Sequence, residues 1–222
     1  MRPILRLPPA SQSFSTTFPA TENPLSQSGA WRTAVNFYAQ PQTTAGKCFG
    51  NRVTDNVDDA VATLVSPDMG NNYRISAHVF RAASYTPGGS HEIGLYLRQL
   101  INNSNPANTL VRGYECLFPY NSNSFQIFAW LAVNHVFPDN FNQLSPAAQN
   151  GGLQIIQNGD LLEAQIVGNN ISIYQNSTLI YTLTDSTWTS GGGPGMGFYV
   201  NDAGGTGVPS NFCITDYSVQ RL

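Results

Sequence analysis

The stretch from Gly159 to Val200, GDLLEAQIVGNNISIYQNSTLIYTLTDSTWTSGGGPGMGFYV, limits the fold more than any other part of the chain. Apolar and polar residues alternate in short runs, and a repeat of two is that of a strand with one face buried. Leu162, Ala164, Ile166, Ile171, Ile173 and Leu179 are expected to face a core, with Glu163, Gln165 and Ser172 facing outward. GNN at 168–170 and QNS at 175–177 supply residues that accept the left-handed backbone of tight turns. The stretch therefore reads as two successive hairpins running on into another strand.

The same pattern extends along the chain. Strands are expected over Ser13–Phe18, Ala34–Tyr38, Lys47–Arg52, Ala60–Val65, Arg74–Arg81, Glu92–Gln99, Leu110–Phe118, Phe125–Trp130, Asp160–Val167, Ile171–Gln175, Thr178–Leu183, Gly195–Val200 and Asn211–Val219. Turn clusters such as PDMGNN, TPGGS, NNSNPAN and NDAGGTG separate them. LSPAAQN is the one helix candidate, of a turn or two. No linker or fixed repeat divides the chain. The expected fold is all-β: a two-sheet antiparallel β-sandwich of the jelly-roll kind, formed by residues 13–222 and preceded by a Pro-rich arm over 1–12.

Composition narrows the partners. Charged residues are 10% of the 222, against about 25% in an average soluble domain, and the net charge is −3. Lys47 is the only lysine. Nucleic acid is excluded as a partner, since binding phosphate needs clustered Lys or Arg. No apolar run approaches the ~18 residues of a membrane helix, so membrane insertion is not expected. The opening MRPILRLPPASQSFSTTF lacks the apolar stretch of a secretion signal. Its proline-rich arm is expected to dock on a neighbouring subunit, giving a homo-oligomer or larger assembly. Three cysteines, Cys48, Cys116 and Cys213, have no metal-like spacing and read as small buried apolar residues.

Three further stretches carry a resemblance. FSTTFPATENPLSQSGAW near the start resembles the opening of concanavalin A-like lectin/glucanase (LamG-like) jelly-roll domains. EIGLYLRQ followed by RGYECLF resembles their central hairpin, and the Gly159–Val200 stretch resembles their closing strands. The resemblance implies two curved sheets, with ligands met on the concave face or its rim. It specifies fold better than function, because the family spans lectins, glycosidases, lyases, adhesins and virion proteins. The Glu-x-Asp-x-x-Glu strand of its glucanases is absent, as is the Arg-x-Glu-x-Arg with Gln-x-His pattern of its alginate lyases.

The residues themselves offer one polar constellation. In HEIGLYLR, Glu92, Gly94, Tyr96 and Arg98 are expected on one strand face, with Ile93, Leu95 and Leu97 on the other. Glu115 lies on the next strand, so Glu92 and Glu115 could meet across the hairpin and serve acid–base chemistry if the register allows. Sugar binding asks less: a ring to stack on and groups to fork to hydroxyls. The candidate ligand-binding residues are Glu92, Tyr96, Arg98, Tyr114, Tyr120, Asn121 and Trp130, with Tyr120 at an exposed loop tip. Trp31 and Trp188 are expected to be structural. No cofactor is expected; a structural Ca²⁺ on Asp55, Asp58, Asp59 or Asp202 is the alternative, although neither loop has calcium-loop spacing.

The leading expectation is thus a non-catalytic interaction module that binds a glycan or decorates a phage-type capsid or tail, on a virion or extracellular surface. A polysaccharide-degrading enzyme working through Glu92 and Glu115 is the alternative.

Overall fold

The computed structural model describes residues 12–35, 39–51, 58–83, 85, 90–105, 109–120, 122–133, 140–146, 151–200 and 208–222. Sixteen strands in two antiparallel sheets account for the regular structure of these residues, beside one 3-10 turn at Pro209–Asn211. Among the described residues no helix is long and apolar enough to cross a membrane.

The first sheet has nine strands. Its centre is β6 (Tyr73–Arg81), flanked on one side by β11 (Leu161–Val167), β12 (Asn170–Gln175) and β13 (Thr178–Thr184). On the other side β6 pairs with both β15 (Phe212–Ile214) and β16 (Tyr217–Arg221). β15 leads on to β4 (Lys47–Gly50) and β3 (Pro41–Thr44), and β16 to β1 (Ser13–Thr16). The second sheet runs in the order β10 (Asn140–Gln143), β9 (Gln126–Val133), β8 (Leu110–Pro119), β7 (His91–Asn102), β14 (Gly193–Val200), β5 (Asp58–Leu64) and β2 (Trp31–Thr33).

Alternation places the core between the sheets. Tyr73, Ile75, Ala77 and Val79 of β6 and Leu162, Ala164 and Ile166 of β11 face Ile93, Leu95 and Leu97 of β7 and Met196 and Phe198 of β14, all in one buried cluster. Each fully buried side chain of this size contributes roughly 1.5–3 kcal/mol. The two hairpins are tight: Val167 pairs with Asn170 and Gln175 with Thr178. Their turns use Gly168 (φ 57), Asn176 (φ 52) and Ser177 (φ 63), the left-handed residues that such short connections require.

Four local expectations are corrected. Leu179 does not face the core; it is 54% exposed, because a bulge at Ile173/Tyr174 shifts the register and turns Ile180 inward instead. The last expected strand breaks in two at Thr215–Asp216. In the helix candidate, the described part, Leu144–Pro146, is not helical. The strand expected over Ala34–Tyr38 lies earlier, at Trp31–Thr33, and residues 36–38 fall outside the described ones. The Met1–Pro9 arm also lies outside them.

Trp31 is structural, as expected. It packs edge-on against Phe14 and Tyr217, and its indole N–H donates to Gln27 Oε1 at 2.8 Å. The three cysteines are free and buried.

Candidate functional site

The outer face of the seven-stranded sheet, turned away from the core, divides into two halves. One is apolar: Tyr96, Ile101, Val111, Trp130 and Ala132 form a second buried cluster with Ala34 and Val61. Phe141 stacks on Trp130 with ring centroids 5.5 Å apart and planes 20° apart, and Trp130 meets Tyr96 at 5.6 Å. The segment Thr33–Val35 ties down this half. Thr109 Oγ1 donates to Val35 O at 2.7 Å, and Asn103 Nδ2 to Thr33 O at 2.9 Å.

The other half carries acids. The register sets Asp59 of β5, Tyr199 of β14 and Glu92 of β7 directly opposite one another on three adjacent strands. All three residues are partly exposed. Four residues along β7, Tyr96 is paired with Glu115 of β8. The phenol of Tyr96 donates to Glu115 Oε1 at 2.7 Å.

Two glycines make that contact fit. A Cβ on Gly197 would lie 2.5 Å from the Tyr96 ring, and one on Gly94 would lie 2.9 Å from both that ring and Glu115 Oε1. Tyr96 and Glu115 therefore fold down over strand positions without side chains, where any larger residue would lift them.

Burial shapes the acidity. It pushes the Glu115 carboxyl up to about 8, with the charges of Asp59 and Glu92 adding to the rise and the Tyr96 hydrogen bond opposing it. Burial, and then Asp59, raises Glu92 to about 7. Near neutral pH this half thus offers carboxyl groups in both protonation states, able to donate to or accept from a hydroxyl.

Several expected site residues lie elsewhere. Arg98 does not share the face of Glu92 and Tyr96. A register shift between Leu97 and Leu100, with Arg98 in the left-handed region at φ 51, turns it away. Its guanidinium donates to the carbonyls of Trp188 (2.7 Å), Asn71 (3.2 Å) and Gly168, which clamps three loops. Tyr114 faces the inter-sheet core, and its hydroxyl donates to Asp185 Oδ1 at 2.8 Å. Tyr120 is not an exposed loop tip but is buried. Its hydroxyl donates to Tyr85 O, its ring packs edge-on against Phe212, and the Arg81 guanidinium covers it at 4.2 Å. Trp130 is 2% exposed, too enclosed for a sugar to stack on. Asn121 lies outside the described residues.

Glu92 and Glu115 do share a face, but not as a cross-strand pair. Glu92 stands opposite Pro119, so the two acids are offset by four residues along β7, with Gly94 between them.

Of the calcium candidates, Asp55 and Asp202 lie outside the described residues, as does the side chain of Asp58. Asp59 belongs to the acid row. Among the described residues no group of three or more His, Cys, Asp or Glu side chains could hold a metal ion.

Tyr199 was not singled out from the sequence, and Asp59 only as a metal ligand. The signal for Tyr199 was GPGMGFYV, whose alternation sets Gly195, Gly197 and Tyr199 on one face. Repeated glycines on one strand face mark a place where other side chains lie down on the sheet.

No protein-family model matches this chain, and no curated protein matches it. Solved structures do. The chain is similar to the carbohydrate binding module CBM66 from Bacillus subtilis, at 16% identity over 89% of this chain and 96% of that one, with a TM-score of 0.50. It is similar to the exoplasmic/lumenal domain of VIP36 in its Ca²⁺/Man-bound form, at 8% identity, 87% and 83% coverage and a TM-score of 0.52. It is also similar to the kappa-carrageenase from Pseudoalteromonas carrageenovora in complex with an oligotetrasaccharide of kappa-carrageenan. There the identity is 11%, the coverage 100% and 99%, and the TM-score 0.51. Identities this low bear on fold, and the two-sheet topology agrees with them. What the chain shares with these structures is the fold, a two-sheet antiparallel β-sandwich of the jelly-roll kind.

Proposed function

We propose that this protein binds a glycan on the acid-bearing half of the outer face of its seven-stranded sheet. Asp59, Glu92 and Tyr199 form the contact row, and Glu115 stands behind Tyr96. The observation that carries this reading is the row itself: a ring between two acids on adjacent strands, partly open to solvent beside an otherwise apolar face. Carboxyls fork to sugar hydroxyls, and a tyrosine ring packs on the apolar side of a pyranose. The similar structures include a carbohydrate binding module and a Man-bound domain, which supports the class of ligand. Display on a virion or extracellular surface, with the Met1–Pro9 arm docking on neighbouring subunits, belongs to the same proposal. Deleting the arm should then shift the assembly state in light scattering.

Calorimetric titration with mannan, β-glucan and κ-carrageenan oligosaccharides tests the binding. Glu92→Gln and Tyr199→Ala should each weaken it about tenfold, the effect of losing one well-made polar or ring contact. Equal affinity in both variants would move the site elsewhere.

A second reading is favoured by one observation, the raised pKa of Glu115 and Glu92. A carboxyl still protonated near neutral pH is the general acid that glycoside hydrolysis needs, with a second carboxylate as nucleophile or base. Release of reducing ends from the same oligosaccharides, abolished by Glu115→Gln, would establish the hydrolase.

A further inference from the structure

The outer face of the nine-stranded sheet carries a polar trough on the opposite side of the sandwich. The register lines up Ser15, Ser218, Ser76, Glu163 and Tyr174 across five adjacent strands. The serines are short and the residues around them long, so the serines floor a hollow of about 660 Å³, with Arg74 and Glu163 in its wall. A second hollow of about 490 Å³ shares Ser15 and Ser218 and runs on to His78 and Asp216. Arg74, Ser76 and His78 all point outward from β6, so the combined groove follows that strand for about 13 Å at ~3.3 Å per residue.

One end of the groove is an ion pair and the other a histidine–carboxylate hydrogen bond. Arg74 Nη2 meets Glu163 Oε1 at 2.7 Å, and His78 Nδ1 meets Asp216 Oδ2 at 2.8 Å. The first pair is incompletely satisfied. Arg74 Nε and Glu163 Oε2 find no hydrogen-bond partner among the described residues, and Glu163 is only 5% exposed. Buried polar atoms are nearly always paired, and leaving them unpaired is costly. Here the unmet groups are one donor and one acceptor belonging to touching side chains. A hydroxyl satisfies both, because it donates and accepts.

The rest of the groove has the same character. Ser76 and Ser218 hydroxyls stand 3.0 Å apart, each exchangeable between donor and acceptor. Arg74 and Glu163 cancel, and the other carboxylate, Asp216, is taken up by the His78 backbone N–H and ring, so among the described residues the groove has no spare cation for an anionic ligand. Phe14 and Val219, at the margin, belong to the core packing and give a peptide no apolar anchor.

We propose that this groove is a second saccharide site, taking a neutral oligosaccharide chain along β6. It rests on the glycan reading above. With ligands on both faces of the sandwich, one molecule joins two chains, and a branched or clustered glycan gains avidity.

The test is a ¹⁵N-NMR titration of the full chain with manno- and laminari-oligosaccharides, repeated on the Glu92→Gln/Tyr199→Ala variant. Amide shifts at Arg74, Ser76 and Ser218 are expected in both proteins. They should be weakened about tenfold by Glu163→Gln, which removes a charged acceptor, and by Ser218→Tyr, which fills the floor without touching the core. Shifts confined to the acid row, or none at these three amides with either sugar, overturn the second site. Shifts at the groove and none at the acid row uphold it and overturn the placement of the first.

Discussion

The Tyr96 phenol lies over Gly94 and Gly197 and donates to Glu115 at 2.7 Å, so the enclosed acid on the outer face of the seven-stranded sheet is held by a neighbour on the adjacent strand. That hydrogen bond favours the carboxylate, against burial and the charges of Asp59 and Glu92. Removing it with Tyr96→Phe should push Glu115 above its present value of about 8. Carboxyl ¹³C titration reads this directly. An unchanged or lower midpoint would mean that the phenol does not hold this acid.

Stability should fall with pH in a defined window. Glu92 and Glu115 sit at about 7 and about 8 in the folded chain, against 4.5 ordinarily. Between those values the folded state keeps protons that the unfolded chain has released, so stability drops as pH rises and levels off above about 8. The full contribution is present below about 4.5. The loss is on the order of 5 kcal/mol, carried mainly by the enclosed Glu115 between 4.5 and about 8 at about 1.4 kcal/mol per proton per pH unit, with a smaller share from the partly exposed Glu92. Urea melts at about pH 5 and about pH 8.5 measure it, and Glu115→Gln should flatten the dependence. Stability that rises across this window would contradict the burial of both acids.

Gly197→Ala should disturb the same contact from below. The added methyl would sit 2.5 Å from the Tyr96 ring, in a strand with no room to yield. The expected cost is about 1–3 kcal/mol, with the Tyr96 hydroxyl displaced from Glu115. Gly168→Ala is a useful contrast: its Cβ meets nothing within 4 Å, so any cost there comes from the left-handed backbone alone. Near-UV circular dichroism should change in Gly197→Ala and not in Gly168→Ala.

The thiols should be silent in the folded protein. Burial raises Cys213 to about 12 and lifts Cys48 and Cys116 well above the ordinary thiol range. A thiol-reactive dye at about pH 8 should find none of the three in the native state and all three in denaturant, since the thiolate is the reactive form. Rapid labelling of a native cysteine would show an opening of the core.

The hairpins around Gly168 and Asn176 were legible in the sequence because local chemistry decides them: a left-handed turn residue needs only its own side chain. The sandwich was legible because alternation repeats in most strands. The acid row was not, since Asp59 and Tyr199 become neighbours of Glu92 only through pairings that join distant parts of the chain. Tyr114 and Tyr120 misled for a related reason. A tyrosine in a strand or beside a turn looks the same in sequence whether its hydroxyl meets water or finds a partner within the protein, as these two do in Asp185 and Tyr85. Short strands such as Pro41–Thr44 and Asn140–Gln143 have too few residues to show a period.

Arg98 shows how one bulge redirects a side chain that simple alternation assigns to the outer face of the seven-stranded sheet. Its backbone is left-handed at φ 51 while its guanidinium holds the carbonyls of Trp188, Asn71 and Gly168. Arg98→Ala removes all three charged hydrogen bonds and keeps the unfavourable backbone, so it should cost about 2–5 kcal/mol. Arg98→Gly removes the same bonds but accepts the left-handed conformation freely, and should be more stable than Arg98→Ala by about 1 kcal/mol. Chemical denaturation of the two variants gives the difference. Because Arg98 points away from the acid row, glycan affinity should be unchanged in whichever variant remains folded. An alanine variant as stable as the glycine one would mean that the bulge relaxes when its clamp is removed, and a loss of affinity would bring Arg98 back to the ligand face.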